Sequence, residues 1–388
     1  MTREYIDAEL DRLERSQTLR ELHWCQSGPG RILRMEGRDL VNFGSNDYLG
    51  LATCGRLKKA ASQAIDRWGT GAGASRLVGG NHPLYRELEE ELARFKEAPA
   101  ACVFATGYMA NIALIQALAG DGALFCVDKL VHASIVDALR LATVAVRVWR
   151  HNDPDDLERA LRARSSARRF VLTESVFSMD GCVAPLARIV EISRRFDADV
   201  IVDEAHATGV LGPQGKGLAG PAGIDVARDF VITTFSKGLG SLGGAVTGSE
   251  KAIRLIHNKA RPLIFSTGLP PAVLAANLEA LRLVPSLDED RNRVLALAGG
   301  LRKTLVALGF NTLDSATQII PVVLGEPQSA LSLSRYLIGK GIFAPAVRPP
   351  AVPKGSARLR LSLTCYHQPE DIQRLIGALE AWKMGNTD

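Results

Sequence analysis

A chain of 388 residues is long enough for two or three associated domains rather than one small core. With 46% hydrophobic and 23% charged residues it has the composition of a soluble globular enzyme, and no apolar run approaches the ~20 residues that a membrane span needs. Its 47 basic and 42 acidic residues leave a net charge of +5, too small and too dispersed to indicate nucleic-acid binding.

The chain opens with MTREYIDAELDRLERS, and residues 3–22 read as a charged amphipathic helix. Acids throughout it argue against a secretory signal or a transit peptide, so the expected location is the cytoplasm. A Gly/Pro stretch and a short strand pair (RILRMEG, then DLVNF) complete a first segment, residues 1–50. From there the texture changes. The apolar runs ACVFAT, ALFCVD, VAVRVW, RFVLTE, ADVIVDE, DFVITTF and GGAVTG lack polar alternation, as strands buried on both faces do. Helical segments at 84–96, 108–119, 155–164 and 185–196 separate many of them. The pattern predicts a large α/β domain, residues 51–285, built on a mostly parallel seven-stranded sheet covered by helices. After a helix near 271–283, Pro285 and SLDEDRN mark a second boundary. Residues 286–388 then read as a smaller α+β domain, with helices at 291–308, 328–340 and 369–383 and strands at TQIIPVVL and ARLRLSLT. Six cysteines lie far apart with no C-x-x-C pair, which points to reduced, buried thiols and no metal site.

Two glycine patterns invite a nucleotide reading and fail on context. Gly69-Thr-Gly71-Ala-Gly73-Ala74 follows a helical segment instead of a strand. Gly238-Leu-Gly240-Ser-Leu-Gly243 follows a strand but precedes another strand instead of a helix.

Chemistry gathers where apolar strands end, the place where open α/β sheets hold ligands. VIVDEAHATG puts Asp203 and His206 after one strand, FVITTFSKGLG puts Thr234, Ser236 and Lys237 after another, and FVLTESVFSMDG puts Glu174, Ser178 and Asp180 after a third. In FATGYMAN, Gly107 and Tyr108 stand where a strand turns into a helix, which can present N–H groups to a phosphate. Singly these are unremarkable: a strand-end Asp is more often a cap, a lone Lys a solvated charge, a lone His such as His132 a structural residue. Together they supply what pyridoxal chemistry needs: an amine for the aldehyde (Lys237), a carboxylate for the pyridine nitrogen (Asp203), a phosphate cradle (Gly107–Tyr108) and a group for the ring face (His132).

At this point the chain resembles the α-oxoamine synthases, fold-type I pyridoxal-phosphate enzymes that condense an amino acid with an acyl thioester and release carbon dioxide. The resemblance is carried end to end by NFGSNDYLGLA (42–52), GTGAGASRLVGGNHPLYRELEEELA (69–93), HASIVDA (132–138), VFSMDG (176–181), VDEAHATGVLGPQGKG (202–217), TTFSKGLG (233–240) and RPPAVPKGSARLRLSLT (348–364). SNDYLGL and SRLVGGNHPLY are similar to the branch that joins L-alanine to a pimeloyl thioester, on coenzyme A or acyl carrier protein, in biotin synthesis. The resemblance implies pyridoxal 5'-phosphate held by Lys237 as a Schiff base, His132 stacked on its ring, Asp203 on the ring nitrogen and His206 on the phenolic oxygen. It adds Gly107, Tyr108, Ser178 and Thr234 to the cofactor shell, gives Arg360 the amino-acid carboxylate, and places Arg20 and Asn46 at the substrate. It also implies a homodimer.

Four departures stand out: Ala351 where the family commonly has Thr, Glu204 and Ala207 where its motif often has Asp and Gly, and Tyr108 where Phe is frequent, an exchange expected to change little. The rival readings are a sibling synthase using glycine with an acetyl or succinyl thioester, an aminotransferase of the same fold, and a non-catalytic subunit, against which intact Lys237, Asp203 and His132 count.

Overall fold

The computed structural model describes residues 2–163, 166 and 168–385. The chain forms two compact units: Leu49–Ser178 with Val183–Arg291, and Met1–Tyr48 with Met179–Cys182 and Asn292–Asp388.

The first of these, the large unit, contains α2 (Gly55–Trp68), α3 (Pro83–Phe95), β3 (Ala100–Phe104), α4 (Gly107–Leu118), β4 (Ala123–Asp128), α5 (Ala133–Ala142) and β5 (Ala145–Trp149). It continues through α6 (Pro154–Arg162), β6 (Arg168–Glu174), α7 (Leu186–Arg195), β7 (Ala198–Asp203), β8 (Phe230–Thr234), β9 (Gly244–Gly248), α8 (Glu250–Lys259), the single turn α9 (Arg261–Ile264) and α10 (Pro271–Leu283). The expected seven-stranded sheet is present, in the order β3-β9-β8-β7-β6-β4-β5. All its pairings are parallel except those of β9, which runs antiparallel to both β3 and β8. Every residue of β4, β8 and β9 is buried, which is why these strands show no polar alternation in the sequence, whereas the edge strand β5 turns Val146 and Val148 to solvent. On one side α2, α3 and α10 pack with Phe235 and Leu239 into a core that includes Leu88, Leu92, Leu274 and Leu278.

The other unit opens with α1 (Thr2–Arg15), β1 (Ile32–Met35) and β2 (Arg38–Asn42). It also contains α11 (Asp288–Ala307, from Asn292 on), β10 (Ile319–Gly325), α12 (Pro327–Gly339), β11 (Ile342–Phe343), β12 (Ala346–Val347), β13 (Ala357–Ser362) and α13 (Pro369–Met384). Its two three-stranded sheets have the orders β1-β2-β11 and β10-β13-β12, so the N-terminal strand pair joins the C-terminal part through the parallel β2–β11 pairing. The expected helix over 3–22 ends earlier, at Arg15. Ser16 Oγ donates to Leu13 O, Gln17 takes a left-handed φ of 55°, and Thr18 N–H closes back on Leu13 O. A hydroxyl competing for the last carbonyls and a residue with positive φ together stop the helix, leaving Arg20 on irregular chain. Among the described residues no helix is long and apolar enough to cross a membrane.

Candidate active site

β6, β7 and β8 are parallel neighbours, and their carboxyl ends are Glu174, Asp203 and Thr234. Glu174 is the register partner of Asp203, so two carboxyls emerge side by side from the sheet. The chain turns sharply after β7, with Ala205 N–H donating to Asp203 Oδ1 at 2.9 Å. Asn111 Nδ2, from α4, donates to Oδ2 at 2.9 Å. Both donors are neutral, so neither one forms an ion pair with the Asp203 carboxyl. His206 lies in the same turn, 3% exposed, with Nε2 2.9 Å from Lys237 Nζ.

Lys237 sits in the loop from β8 to β9, which is closed at its base where Phe235 N–H donates to Gly243 O and Ser241 N–H to Phe235 O. The glycines beside it are required by packing of the loop. A Cβ on Gly238 would stand 2.7 Å from Thr208 O, and one on Gly240, at φ 64°, would stand 2.4 Å from Ala52 N.

His132 caps the N-terminus of α5. Ser134 N–H donates to His132 Nδ1 at 3.2 Å, so Nδ1 carries no hydrogen and the ring proton belongs on Nε2. Loss of hydration pushes the imidazole below its ordinary pKa; Asp203 pulls the other way and the charge of Lys237 adds to the fall. Glu174 Oε1 accepts the His132 backbone N–H at 2.5 Å. Its burial, with the neighbouring charge of Asp203, holds the Glu174 carboxyl well above the usual carboxylate range, against the opposing pull of Lys237 and the His132 N–H.

Across the pocket α4 begins. Thr106 accepts Met109 N–H at 3.0 Å as its cap, and Gly107 and Tyr108 form the first turn, whose N–H groups have no partner inside a helix. The edge of the Tyr108 ring meets His132 at a centroid distance of 6.4 Å, and its hydroxyl donates to Asp137. Thr234 Oγ1 lies 2.9 Å from both Ser236 Oγ and Gly243 O. These elements enclose a cavity of about 190 Å3 lined by Gly107, Tyr108, His132, Asp203, His206, Thr234 and Lys237, together with Asn111, Ser134 and Glu174. An amine, two carboxyls, two imidazoles and a helix N-terminus meet there. That set can hold an anionic group at one end and a protonated ring at the other.

The remaining sequence candidates lie elsewhere. Ser178 is half-buried in the turn beyond β6 and is not among the residues lining the cavity. Asp180, read with that strand end, belongs to the other unit, where it pairs with the buried Arg358. That unit joins two of the expected substrate residues directly: Arg360 Nη1 donates to Asn46 Oδ1 at 3.0 Å and to Ser362 Oγ at 2.8 Å, and Tyr48 Oη donates to the same Asn46 oxygen at 3.1 Å. Arg20 is exposed, with Nη2 3.5 Å from Pro349 O. Ala351 is exposed and donates its N–H to Arg348 O. A wider groove of about 580 Å3 in this unit, lined by Arg38, Lys340 and Arg374, contains none of the candidates. Asn111, Ser134 and Glu174 had no assigned role in the sequence reading; only Glu174 carried a signal there, as the last residue of a buried strand.

The family model for class I and II aminotransferases matches residues 38–379. An 8-amino-7-oxononanoate synthase of Geobacter sulfurreducens is 43% identical over 98% of this chain and 97% of its own. One from Aromatoleum aromaticum is 44% identical over 89% and 90%. Among solved structures, a serine palmitoyltransferase from S. paucimobilis with a bound PLP–myriocin aldimine superposes with a TM-score of 0.92 at 31% identity, covering 98% of this chain and 97% of that one.

Proposed function

The chain belongs to the class I and II aminotransferase family and, within it, to the 8-amino-7-oxononanoate synthases, and from that premise we propose how its own residues divide the work. It is a pyridoxal-phosphate-dependent acyltransferase. It condenses L-alanine with a pimeloyl thioester, with loss of carbon dioxide and the carrier thiol, to give 8-amino-7-oxononanoate for biotin synthesis. The observation that carries this reading is the 190 Å3 cavity in which the Lys237 amine, the Asp203 carboxylate and the His132 imidazole converge.

The residues present fit the cofactor. Asp203 is a buried carboxylate bonded by neutral donors, the charge that a protonated ring nitrogen calls for. The first turn of α4 offers N–H groups and a positive helix end to a phosphate, with Thr234 and Ser236 hydroxyls beside it. Lys237 would hold the aldehyde carbon, Asp203 the ring nitrogen, His206 the phenolic oxygen and His132 the ring face, with Gly107, Tyr108, Ser178 and Thr234 completing the shell. When bound, the cofactor supplies a protonated aromatic ring that takes up electrons released as bonds to the amino-acid Cα break.

The protein's own groups do the rest. Lys237, whose amine opens into the cavity, would be the base that removes the Cα proton of alanine and later returns one. His206 Nε2, at 2.9 Å, stands within hydrogen-bond reach of the Lys237 amine and helps to aim it. Arg360, its guanidinium already oriented by Asn46 and Ser362, grips the alanine carboxylate with charge-assisted hydrogen bonds. Arg20 meets the far carboxylate of the pimeloyl chain. The acyl group arrives on coenzyme A or on acyl carrier protein, and the enzyme works as a homodimer in the cytoplasm; the end-to-end likeness to the family supports both statements.

The test is a product assay. Purified protein with L-alanine and a pimeloyl thioester should release thiol and carbon dioxide in equal amounts. Glycine with acetyl or succinyl thioesters, and serine with palmitoyl thioester, are the comparison arms, and faster turnover in any of them would move the chain to a sibling activity.

A further inference from the structure

Three residues in the cavity wall have no part in the chemistry described above: Asn111, Ser134 and Glu174. All three are at most 3% exposed. Their hydrogens can be assigned from the partners alone. A carboxylate only accepts, so the atom of Asn111 that faces Asp203 Oδ2 at 2.9 Å is its nitrogen. The same nitrogen is 3.1 Å from Ser134 Oγ. His132 Nδ1 accepts the Ser134 backbone N–H, so it holds no hydrogen of its own, and Ser134 Oγ at 2.8 Å must donate there. Ser134 Oγ therefore accepts from Asn111. The Asn111 amide nitrogen thus donates to Asp203 and, at longer range, to Ser134 Oγ at 3.1 Å and Gly107 O at 3.3 Å, while Ser134 passes its own hydrogen to His132. The second end of His132, its backbone N–H, is held by Glu174, and Glu174 is the strand partner of Asp203. The result is a closed path, Asp203–Asn111–Ser134–His132–Glu174, returning to Asp203 through the β6–β7 register.

We propose that Asn111 and Glu174 are positioning residues that fix His132 relative to Asp203, so that one planar, protonated aromatic ring can meet both. The inference rests on the reading of this cavity as the pyridoxal-phosphate site. Asn111 acts as a double donor. Glu174 acts as a neutral carboxylic acid whose oxygen accepts from His132; a second negative charge beside Asp203 would compete with it for the ring. The raised pKa of Glu174 agrees with that assignment.

Two exchanges that keep shape should then have opposite outcomes. Glu174→Gln keeps a neutral side chain with an oxygen for the His132 N–H. Asn111→Asp keeps the outline but turns the donor toward Asp203 into an acceptor. Apoprotein of each is titrated with pyridoxal 5'-phosphate by absorbance, and the pH midpoint of the bound cofactor's absorption band is recorded along with the melting temperature of the apoprotein. Glu174→Gln should bind within about threefold of the parent with an unchanged midpoint, and Glu174→Ala should bind at least tenfold more weakly. Asn111→Asp should lose at least tenfold in affinity and shift the midpoint. Should it fail to fold, Asn111→Ala reads the same loss without the added charge. A merely structural role would lower the melting temperature and leave the midpoint in place. The proposal is overturned if Glu174→Gln is as weak as Glu174→Ala, or if the Asn111 variants keep the parental affinity and midpoint. A parent protein that binds no pyridoxal phosphate would instead overturn the functional reading beneath it.

Discussion

Glu204 Oε2 lies 2.8 Å from Lys96 Nζ, and both side chains are buried, 0% and 3% exposed. Lys96 also donates to Thr208 Oγ1 and Lys216 O, and Glu204 Oε1 accepts the N–H groups of Leu218 and Ala219. Glu204 is one of the departures from the family motif, and its carboxylate is turned away from the cavity to anchor the chain from 208 to 219. A buried pair whose two carboxylate oxygens and ammonium are all hydrogen-bonded is costly to break from one side, because the survivor stays charged and buried. Lys96→Ala should therefore lower unfolding free energy by about 3–5 kcal/mol, while Lys96→Met with Glu204→Gln should lose clearly less. Urea unfolding of the three proteins decides it; a loss under about 1 kcal/mol for Lys96→Ala would show the pair to be exposed to water in solution.

Lys237→Ala makes the opposite prediction. Lys237 is only half-buried in a loop closed by backbone hydrogen bonds, so its removal should leave the melting temperature of the apoprotein nearly unchanged. Product formation should vanish. Borohydride treatment of the parent, followed by peptide mapping, should find the cofactor fixed on Lys237, and an adduct on a different lysine would refute the central assignment.

The strands that carry this site were legible because a run such as ALFCVD or FVITTF has no polar alternation to explain unless both faces are covered. The strand-end residues Asp203, Thr234 and Lys237 followed from the same logic, since a polar residue at the end of such a run faces whatever the sheet holds. Three things were hidden. The halt of α1 at Arg15 depends on a Ser16 hydroxyl and the positive φ of Gln17, neither of which breaks the amphipathic pattern. Asn111 and Ser134 sit inside helical segments and acquire meaning only when α4 and α5 are packed against the end of β7. The weight of Glu174 comes from being in register with Asp203, 29 positions later in the chain, which no local pattern encodes. Gly238 and Gly240, which invite a nucleotide reading in the sequence, have the backbones of Thr208 and Ala52 against them instead.

His367 predicts a pH dependence of stability. Thr364 N–H donates to its Nδ1 at 3.0 Å, its ring stacks on Phe43 at 4.4 Å, and burial pushes its pKa below the ordinary histidine value, with Asp371 opposing. An unfolded histidine titrates near ~6.5. Between that value and the lower folded one the unfolded chain binds more protons, so stability rises with pH there and is lost as pH falls. The contribution of this one residue is at most about 1.4 kcal/mol per pH unit. His367→Asn keeps an acceptor for the Thr364 N–H but cannot charge. The gap in unfolding free energy between parent and variant should shrink as urea unfolding is repeated from pH 7.5 to pH 5.5, and a constant gap would mean that His367 does not titrate in that range.

Arg20 tests the acyl substrate. Its guanidinium lies 3.5 Å from Pro349 O, and Arg348 donates to Gln17 O at 2.6 Å and Leu19 O at 3.2 Å, tying down the segment that leads to Arg20. Burial, and then the like charges of Arg20 and Arg335, push the pKa of Arg348 below the usual arginine value. This cluster of cations gains from an incoming carboxylate, which the far end of a pimeloyl chain has and an acetyl chain lacks. A hydrogen bond to a charged group contributes about 1.5–3 kcal/mol, so Arg20→Ala should raise KM for the pimeloyl thioester roughly 10–100-fold. Arg20→Lys should recover part of the loss, because it restores the charge without the planar fork. The spectral change produced by alanine alone should be the same in all three proteins, since Arg360 and not Arg20 meets the amino-acid carboxylate on this reading. Equal loss of alanine binding and thioester use in Arg20→Ala would make Arg20 a general support of the site. An unchanged KM for the pimeloyl thioester would remove it from acyl recognition altogether.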